Sequence, residues 1–212
     1  MLYSSDHKFL LIKNMKVGST SLEVELSKIL PKNAIVTTIN PPNMSHQPRN
    51  YGEFRNHESF SSISSKIDLS GVTSYVFVRN PYECVLSDFF FRPDIKKLSS
   101  QWESIKKYER IKMVDNYFKG KLTYGPFMRS TKMLYSDGNT VLVDHLLRYE
   151  NGIESEINKF LPIHGLPTIT INTFEKAHRP KHIIYSDIFT NNQKEQIQEE
   201  WFWEFDNLGY NR

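Results

Sequence analysis

Several features that would identify a class of protein are missing from this 212-residue sequence. It has a single cysteine, Cys84, so it carries neither an internal disulfide framework nor a cysteine-rich metal site, which favours a reducing compartment. Its net charge is only +3, from 27 Lys and Arg against 24 Asp and Glu, so no overall basic field indicates a nucleic-acid partner. Any site for an anion must therefore be local.

Long apolar runs and paired metal ligands are also missing. The N-terminal segment MLYSSDHKFLLIKN has an apolar run of only four residues before a lysine, too short for a signal-peptide core or a membrane span. His178 and His182 have the i, i+4 spacing of a zinc site, but Pro180 between them breaks a helix. We therefore expect a cytoplasmic protein with no membrane span and no metal.

Predicted strands alternate with predicted helices along the chain. Short β-rich runs predict strands at 7–13, 34–39 and 74–78, with a mixed signal at 140–149. Helical spacing of apolar residues, with capping residues, predicts helices at 21–30, 58–67, 81–91, 101–119, 153–161 and 191–205. This alternation predicts an α/β fold in one domain, residues 1–212, with a parallel β-sheet flanked by helices and ligands at the carboxyl ends of the strands.

The first strand is followed by a short loop, KVGSTS at 16–21, and then by a helix. A glycine among small hydroxyl residues lets backbone N–H groups and a helix N-terminus approach an anion, and Lys16 adds positive charge. The pattern differs from the triphosphate loop G-x-x-x-x-G-K-[ST], because the lysine precedes the glycine. The loop predicts a phosphate or sulfate site; an ordinary helix cap beside a surface lysine is the alternative.

A second helix N-terminus follows the strand SYVFV, with Arg79 directly after it. Metal-dependent nucleotide hydrolases usually carry an acid at a neighbouring strand end to hold magnesium. An arginine cannot ligate a cation, and its fork of donors suits a terminal phosphate. Two anion sites at neighbouring strand ends suit a nucleotide with two separate phosphate groups; a structural ion pair of Arg79 is the alternative.

KVGSTSL at 16–22 together with YVFVRNPYECVLSDF at 75–89 resembles the two nucleotide-binding signatures of sulfotransferases that use 3'-phosphoadenosine 5'-phosphosulfate, PAPS. VDHLLRYEN at 143–151 and EFDNLGY at 204–210 are similar to later segments of that family, and the Golgi-type carbohydrate sulfotransferases with their small bacterial or viral relatives are the most similar subgroup. The resemblance implies a P-loop-like sulfotransferase fold and PAPS as donor, with 3'-phosphoadenosine 5'-phosphate (PAP) as product. It implies a 5'-phosphosulfate site at Lys16, Val17, Gly18, Ser19, Thr20 and Ser21, and a 3'-phosphate site at Arg79 and Ser87.

Two segments depart from the family pattern. Cys84 replaces the arginine of R-N-P-x-x-R, and TFEKAHRP at 173–180 stands where an N-x-S segment is usual. Arg179 and Lys181, in and just after that segment, are candidates for a further phosphate contact. A solvated basic loop is the alternative for both residues.

Sulfuryl transfer resembles phosphoryl transfer, with in-line attack by the acceptor and charge building on the leaving group. Lys16 is the candidate to neutralise that charge. His57 is the candidate general base, because histidine titrates near neutral pH and His57-Glu-Ser-Phe60 is similar to the H-x-x-[YF] segment of uronyl sulfotransferases. A purely structural role for His57 is the alternative, with Glu53 or Glu58 then serving as the base.

The sequence thus predicts an enzyme that transfers the sulfuryl group of PAPS to a hydroxyl or amine of an acceptor, which the subgroup implies is a carbohydrate. A non-catalytic protein that binds a 3'-phosphonucleotide is one alternative. A kinase-like phosphotransferase is another, disfavoured by the position of the lysine and by the missing magnesium acid. The pattern leaves the acceptor and the oligomeric state open.

Overall fold

The computed structural model describes residues 1–40, 42–172, 178–180 and 182–212. Within them the chain divides into two compact units. The first contains residues 1–79 and 131–172, and the second contains residues 80–130 and the described residues from His178 onward. The fold class is α/β, as predicted, with a central sheet flanked by helices. The single domain stays a prediction.

Short strands and helices follow one another along the described chain. The strands are β1 (Leu2–Ser4), β2 (Phe9–Ile12), β3 (Ile35–Val36), β4 (Thr73–Val78), β5 (Ser136–Asp137), β6 (Thr140–Val141) and β7 (His145–Arg148). The α-helices are α1 (Ser19–Ile29), α2 (Phe60–Ser64), α3 (Pro81–Phe91), α4 (Pro93–Lys96), α5 (Lys107–Phe118), α6 (Ile153–Asn158), α7 (Tyr185–Ile188), α8 (Asn191–Glu200) and α9 (Phe202–Leu208). Short 3-10 helices cover Ser99–Ser104, Lys132–Leu134, Tyr149–Asn151 and Leu161–His164.

The central sheet is mixed. In the described chain its strand order is β3-β1-β2-β4-β7, and β2, β4 and β7 are parallel, as predicted. Strand β1 was not predicted, and it pairs antiparallel with both β2 and β3. A short turn can join antiparallel strands, whereas parallel strands need a crossover, so the brief β1–β2 connection gives a hairpin.

Helices α1 and α6 cover one face of the sheet in the first unit. Side chains of one face alternate along each strand, so β2 and β4 each present every second residue to these helices. The buried cluster on this face includes Phe9, Leu11, Tyr75, Phe77 and Leu147 of the strands, Leu22 and Leu26 of α1, and Ile153 and Ile157 of α6. This packing fixes the position of α1 against the sheet, and so places the N-terminus of α1 near the end of β2.

The second unit is built from helices, and one of them follows its predicted bounds closely. Helix α3 begins at Pro81, and the Asn80 side chain accepts a hydrogen bond from the Tyr82 backbone N–H at 2.9 Å. The predicted helix at 191–205 is instead two helices, because its path breaks at Trp201. The predicted helix at 101–119 is divided too, since Lys106 has extended backbone angles before α5 begins.

Candidate functional site: an anion site at the carboxyl edge of the sheet

Three neighbouring parallel strands of the first unit end at the same edge of the sheet. Ile12 lies opposite Val76, and Val78 lies opposite Arg148, so β2, β4 and β7 finish close together. The segments that follow them begin with the loop at 13–18, with Arg79, and with Tyr149. This edge is where the α/β pattern places ligands, and it brings the first predicted anion loop beside Arg79.

Gly18 is required by the shape of the loop. Its φ of 70° lies in the left-handed region, and a Cβ there would lie 2.5 Å from Ile153 Cδ1 and 3.3 Å from Tyr149 Cε2. Gly18 is also the N-cap of α1, so the N-cap position has no side chain to accept from the first N–H groups of the helix, and the first turn carries no acidic residue. A helix end of this kind is suited to an exogenous anion.

Asn14 anchors the start of the loop, although the sequence did not single it out. Its side chain is buried, and Nδ2 donates to the Phe77 carbonyl oxygen of β4 at 2.9 Å. Its backbone carbonyl accepts a hydrogen bond from Ser19 Oγ at 3.2 Å. The signal that could have found it is an amide placed directly after a buried strand, where it can bond a neighbouring strand's backbone.

The predicted loop residues differ in what they can offer an anion. Val17 is 1% exposed and packs in the core, so only its backbone can contribute. Ser21 is buried, whereas Lys16 and Thr20 are partly exposed. Their assignment to a 5'-phosphosulfate stays a prediction.

Arg79 joins the loop to the segment after β7. It is 7% exposed, and Nη1 donates to the Lys16 carbonyl oxygen at 2.9 Å. The guanidinium carbon lies 4.1 Å from the centroid of the Tyr149 ring, a cation–π contact. Tyr149 lies in the VDHLLRYEN segment but had no predicted role. The Tyr149 ring packs against the guanidinium and so restricts the orientation of Arg79.

His57 lies at the carboxyl end of β2. Its Nδ1 is 2.9 Å from the backbone carbonyl oxygen of Lys13. A carbonyl oxygen only accepts hydrogen bonds, so Nδ1 must carry the hydrogen, and the neutral ring then has its lone pair on Nε2. This is the tautomer that a base acting through Nε2 requires.

Both residues predicted to be catalytic have a left-handed backbone. The φ angle is 61° at Lys16 and 58° at His57. Such angles are uncommon for residues other than glycine, and the strain is often found at functional sites. The backbone angles therefore support functional roles for Lys16 and His57.

Glu58, the first alternative base, is engaged in structure. It is buried, and it accepts hydrogen bonds from the Arg55 backbone N–H at 2.6 Å, from Ser62 Oγ at 2.5 Å and from Lys66 Nζ at 2.6 Å. Burial raises the pKa of Glu58, but these three hydrogen bonds outweigh burial and lower the pKa to about 2. A carboxylate held in this way is a poor general base near neutral pH. Glu53 is exposed.

We expect the free energy of unfolding to fall in acid because of Glu58. A pKa lowered from 4.5 to about 2 contributes stability that is present above pH 4.5 and is lost as the pH falls toward 2. The contribution is roughly 3 kcal/mol at neutral pH, from about 1.36 kcal/mol per pKa unit. Urea unfolding of the wild type and Glu58→Gln between about pH 2 and pH 7 should give free-energy curves that converge in acid. Exposed Glu53→Gln is the control, and a constant gap would contradict the assignment.

The second unit carries the other predicted nucleotide contacts. Ser87 lies on α3 and is partly exposed. Arg179 forms an ion pair with Glu83, in the first turn of α3, so this arginine is engaged in structure as well as being a candidate phosphate contact. Lys181 lies outside the described residues, as do residues 173–177. The phosphate roles of Ser87, Arg179 and Lys181 stay predictions.

Two features concern metals and membranes. The described residues hold no group of three His, Cys, Asp or Glu side chains arranged to bind a metal ion. In the same part of the chain, no helix combines the length and the apolar character needed to cross a membrane.

Known proteins resemble this chain in structure rather than in sequence. No protein-family model matches the chain, and no curated protein matches it. The chain is similar in structure to a mouse sulfotransferase, SULT7A1, solved in complex with PAP. The identity is 15%, the match covers 92% of this chain and 83% of the mouse chain, and the TM-score is 0.47.

Proposed function

We propose that this protein is a sulfotransferase that transfers the sulfuryl group of PAPS to a hydroxyl or amine of an acceptor. The observation that carries the proposal is the hydrogen bond from Arg79 to the Lys16 carbonyl oxygen, at 2.9 Å. It places a buried guanidinium beside a glycine-capped helix N-terminus, at the carboxyl ends of two neighbouring parallel strands. Two cationic side chains and a helix end suit a nucleotide with separate phosphate groups.

The residues at this edge fit such a nucleotide. Any side chain at Gly18 would collide with Ile153, and the glycine N-cap has no side chain of its own to accept from the first N–H groups of α1. In the 16–21 loop, Lys16 would contact the 5'-phosphosulfate, and Arg79 would bind the 3'-phosphate. The corresponding role of Ser87 rests on the sequence resemblance alone. PAPS would supply an activated sulfuryl group, whose sulfur is bonded to an oxygen of the 5'-phosphate.

The transfer step needs a charge acceptor and a proton acceptor. The bond between sulfur and the bridging oxygen breaks as the acceptor oxygen or nitrogen bonds to sulfur, and PAP leaves with the extra negative charge. Lys16 would stabilise that charge as it develops. His57 would take the proton of the acceptor on Nε2, the nitrogen that carries the lone pair when Nδ1 donates to the Lys13 carbonyl.

We extend the proposal to the acceptor and to the setting of the reaction. The resemblance of the sequence segments to those of the carbohydrate sulfotransferases favours a sugar hydroxyl as the acceptor. The single cysteine favours a reducing compartment, and we propose the cytoplasm. The near-neutral net charge favours a function that does not involve nucleic acid. We also propose that the 212 residues form a single domain.

We expect PAP to bind without any metal and to stabilise the fold. A ligand that binds only the native state at about a hundredfold excess over its dissociation constant adds about 2.7 kcal/mol to the free energy of unfolding. Thermal unfolding in EDTA with PAP, and separately with ATP and magnesium, measures this. The proposal expects a shift with PAP in EDTA; a shift only with ATP and magnesium would favour a phosphotransferase.

Arg79→Gln is the matched variant for that experiment. It keeps a planar, polar end group on a shorter side chain and removes the charge, so PAP affinity should fall by about 1.5 to 3 kcal/mol, the scale of hydrogen bonds to charged groups. The substitution should lower the affinity for adenosine 5'-phosphate much less, because that nucleotide lacks the 3'-phosphate. Equal losses for the two nucleotides would remove Arg79 from the 3'-phosphate site.

A further inference from the structure

We propose that the buried ion pair between Lys13 and Glu23 positions His57, by fixing the backbone carbonyl that sets the tautomer of the imidazole. The proposal rests on the proposed function only where it concerns turnover. Lys13 and Glu23 are thus positioning residues, and they have no predicted role in the sequence pattern.

The ion pair is deeply buried in the first unit. The side chains of Lys13 and Glu23 are 2% and 0% exposed, and Lys13 Nζ lies 2.6 Å from Glu23 Oε2. Lys13 Nζ also donates to the Thr38 carbonyl oxygen at 3.3 Å. Burial lowers the pKa of Lys13, while the charge of Glu23 and its hydrogen bond act in the opposite direction. Strand β2, helix α1 and the segment after β3 are therefore tied together at Lys13.

The same residue carries the carbonyl that His57 contacts. Lys13 follows the last residue of β2, and its carbonyl oxygen is 2.9 Å from His57 Nδ1. His57 has a left-handed backbone, so its ring is placed by a strained turn and held by this hydrogen bond. A shift of the Lys13 backbone would move the acceptor of Nδ1–H, and with it the position and direction of Nε2.

Packing alone gives no reason for two charges at this place. Moving a lysine and a glutamate out of water is costly, and apolar side chains of similar volume often give equal or greater stability. Unlike an apolar contact, the ion pair and the hydrogen bond to the Thr38 carbonyl are directional, so they allow one arrangement of Lys13 relative to α1. The orientation of the Lys13 backbone carbonyl, which His57 contacts, follows from that arrangement.

The first test is the tautomer of His57 in the wild-type full chain. Nitrogen NMR of the imidazole at about pH 8, above the ordinary histidine pKa of about 6.5, distinguishes hydrogen on Nδ1 from hydrogen on Nε2. The spectrum of His57→Gln identifies the His57 signals among those of the seven histidines. We expect hydrogen on Nδ1 in the wild type. Hydrogen mainly on Nε2 would overturn the proposal without any variant of the ion pair.

The second test is the double variant Lys13→Met with Glu23→Leu, which removes both charges and keeps the volumes similar. The control on the same helix is Lys28→Met with Glu25→Leu, which removes the more exposed pair at 2.7 Å. We expect the buried double variant to lose the preference for hydrogen on Nδ1. Its turnover should fall on the order of 10²-fold, the effect of a displacement of about 1 Å, with PAP affinity unchanged, and the control should match the wild type.

The tautomer decides the result, because it needs no reaction. A double variant that keeps hydrogen on Nδ1 overturns the proposal, whatever its turnover. A shifted tautomer supports the positioning role even if the wild type transfers no sulfate, in which case the proposed function fails alone. Equal shifts in the exposed-pair control would also overturn it, because the effect would then be general to α1.

Discussion

His57→Asn is expected to lower turnover with PAPS by roughly 10²- to 10⁴-fold, the range for loss of a general base. Asparagine tolerates the left-handed backbone that His57 adopts, so the substitution removes the imidazole without adding strain. PAP affinity should stay nearly unchanged, since the base contacts the acceptor and not the nucleotide. The acidic limb of the pH profile of turnover should disappear together with the imidazole. Steady-state turnover across pH, with calorimetry for PAP, measures both effects.

His182→Asn is the control for this substitution. His182 is an exposed histidine that contacts Glu103 in the second unit, so its loss should leave turnover at the wild-type level. A His57→Asn enzyme that keeps its rate and its pH dependence would transfer the role of base to another group. Glu53 would be tested next, because Glu58 is held as a structural carboxylate.

Lys16→Ala should lower turnover more than it lowers affinity for PAP. If Lys16 meets charge that develops on the leaving group, its interaction strengthens toward the transition state. We expect turnover to fall by roughly 10²- to 10³-fold, as for loss of one donor at a developing charge. Affinity for PAP should fall by no more than about tenfold, or about 1.4 kcal/mol. Turnover at saturating PAPS and PAP binding by calorimetry separate the two quantities.

Lys8→Ala controls for the backbone of that variant. Lys8 is an exposed lysine in the turn between β1 and β2, and its φ of 49° is also left-handed. Any effect of replacing a left-handed lysine by alanine should therefore be common to both variants. Equal losses of turnover and PAP affinity in Lys16→Ala would mean that Lys16 binds the ground state as strongly as the transition state.

Local sequence signals predicted the parts of the site that depend on neighbouring residues. The glycine and hydroxyl residues of the 16–21 loop marked a strand-to-helix turn, and α1 begins at Ser19 within that loop. Asn80 and Pro81 fixed the start of α3, because a side-chain cap and a proline at the first helical position act within one turn.

Long-range contacts account for what the sequence did not predict. Tyr149 meets Arg79 only because β7 pairs with β4, and no local pattern encodes that strand order. The ion pair between Lys13 and Glu23 joins a strand end to the middle of a helix, where a charged residue would ordinarily be assigned to solvent. Strand β1 is three residues long, too short for a periodic signal, so the antiparallel edge of the sheet was missed.

Transfer of labelled sulfate from PAPS tests the central claim most directly. The full chain is incubated with PAPS labelled in its sulfuryl group and with a panel of oligosaccharides and simple hydroxyl and amine acceptors, in EDTA. The account predicts labelled acceptor and an equal amount of PAP, with both products strongly reduced for Lys16→Ala and for His57→Asn. Tight metal-free binding of PAP with no labelled product from any acceptor would contradict it, and would favour a protein that binds the nucleotide without transferring its sulfate.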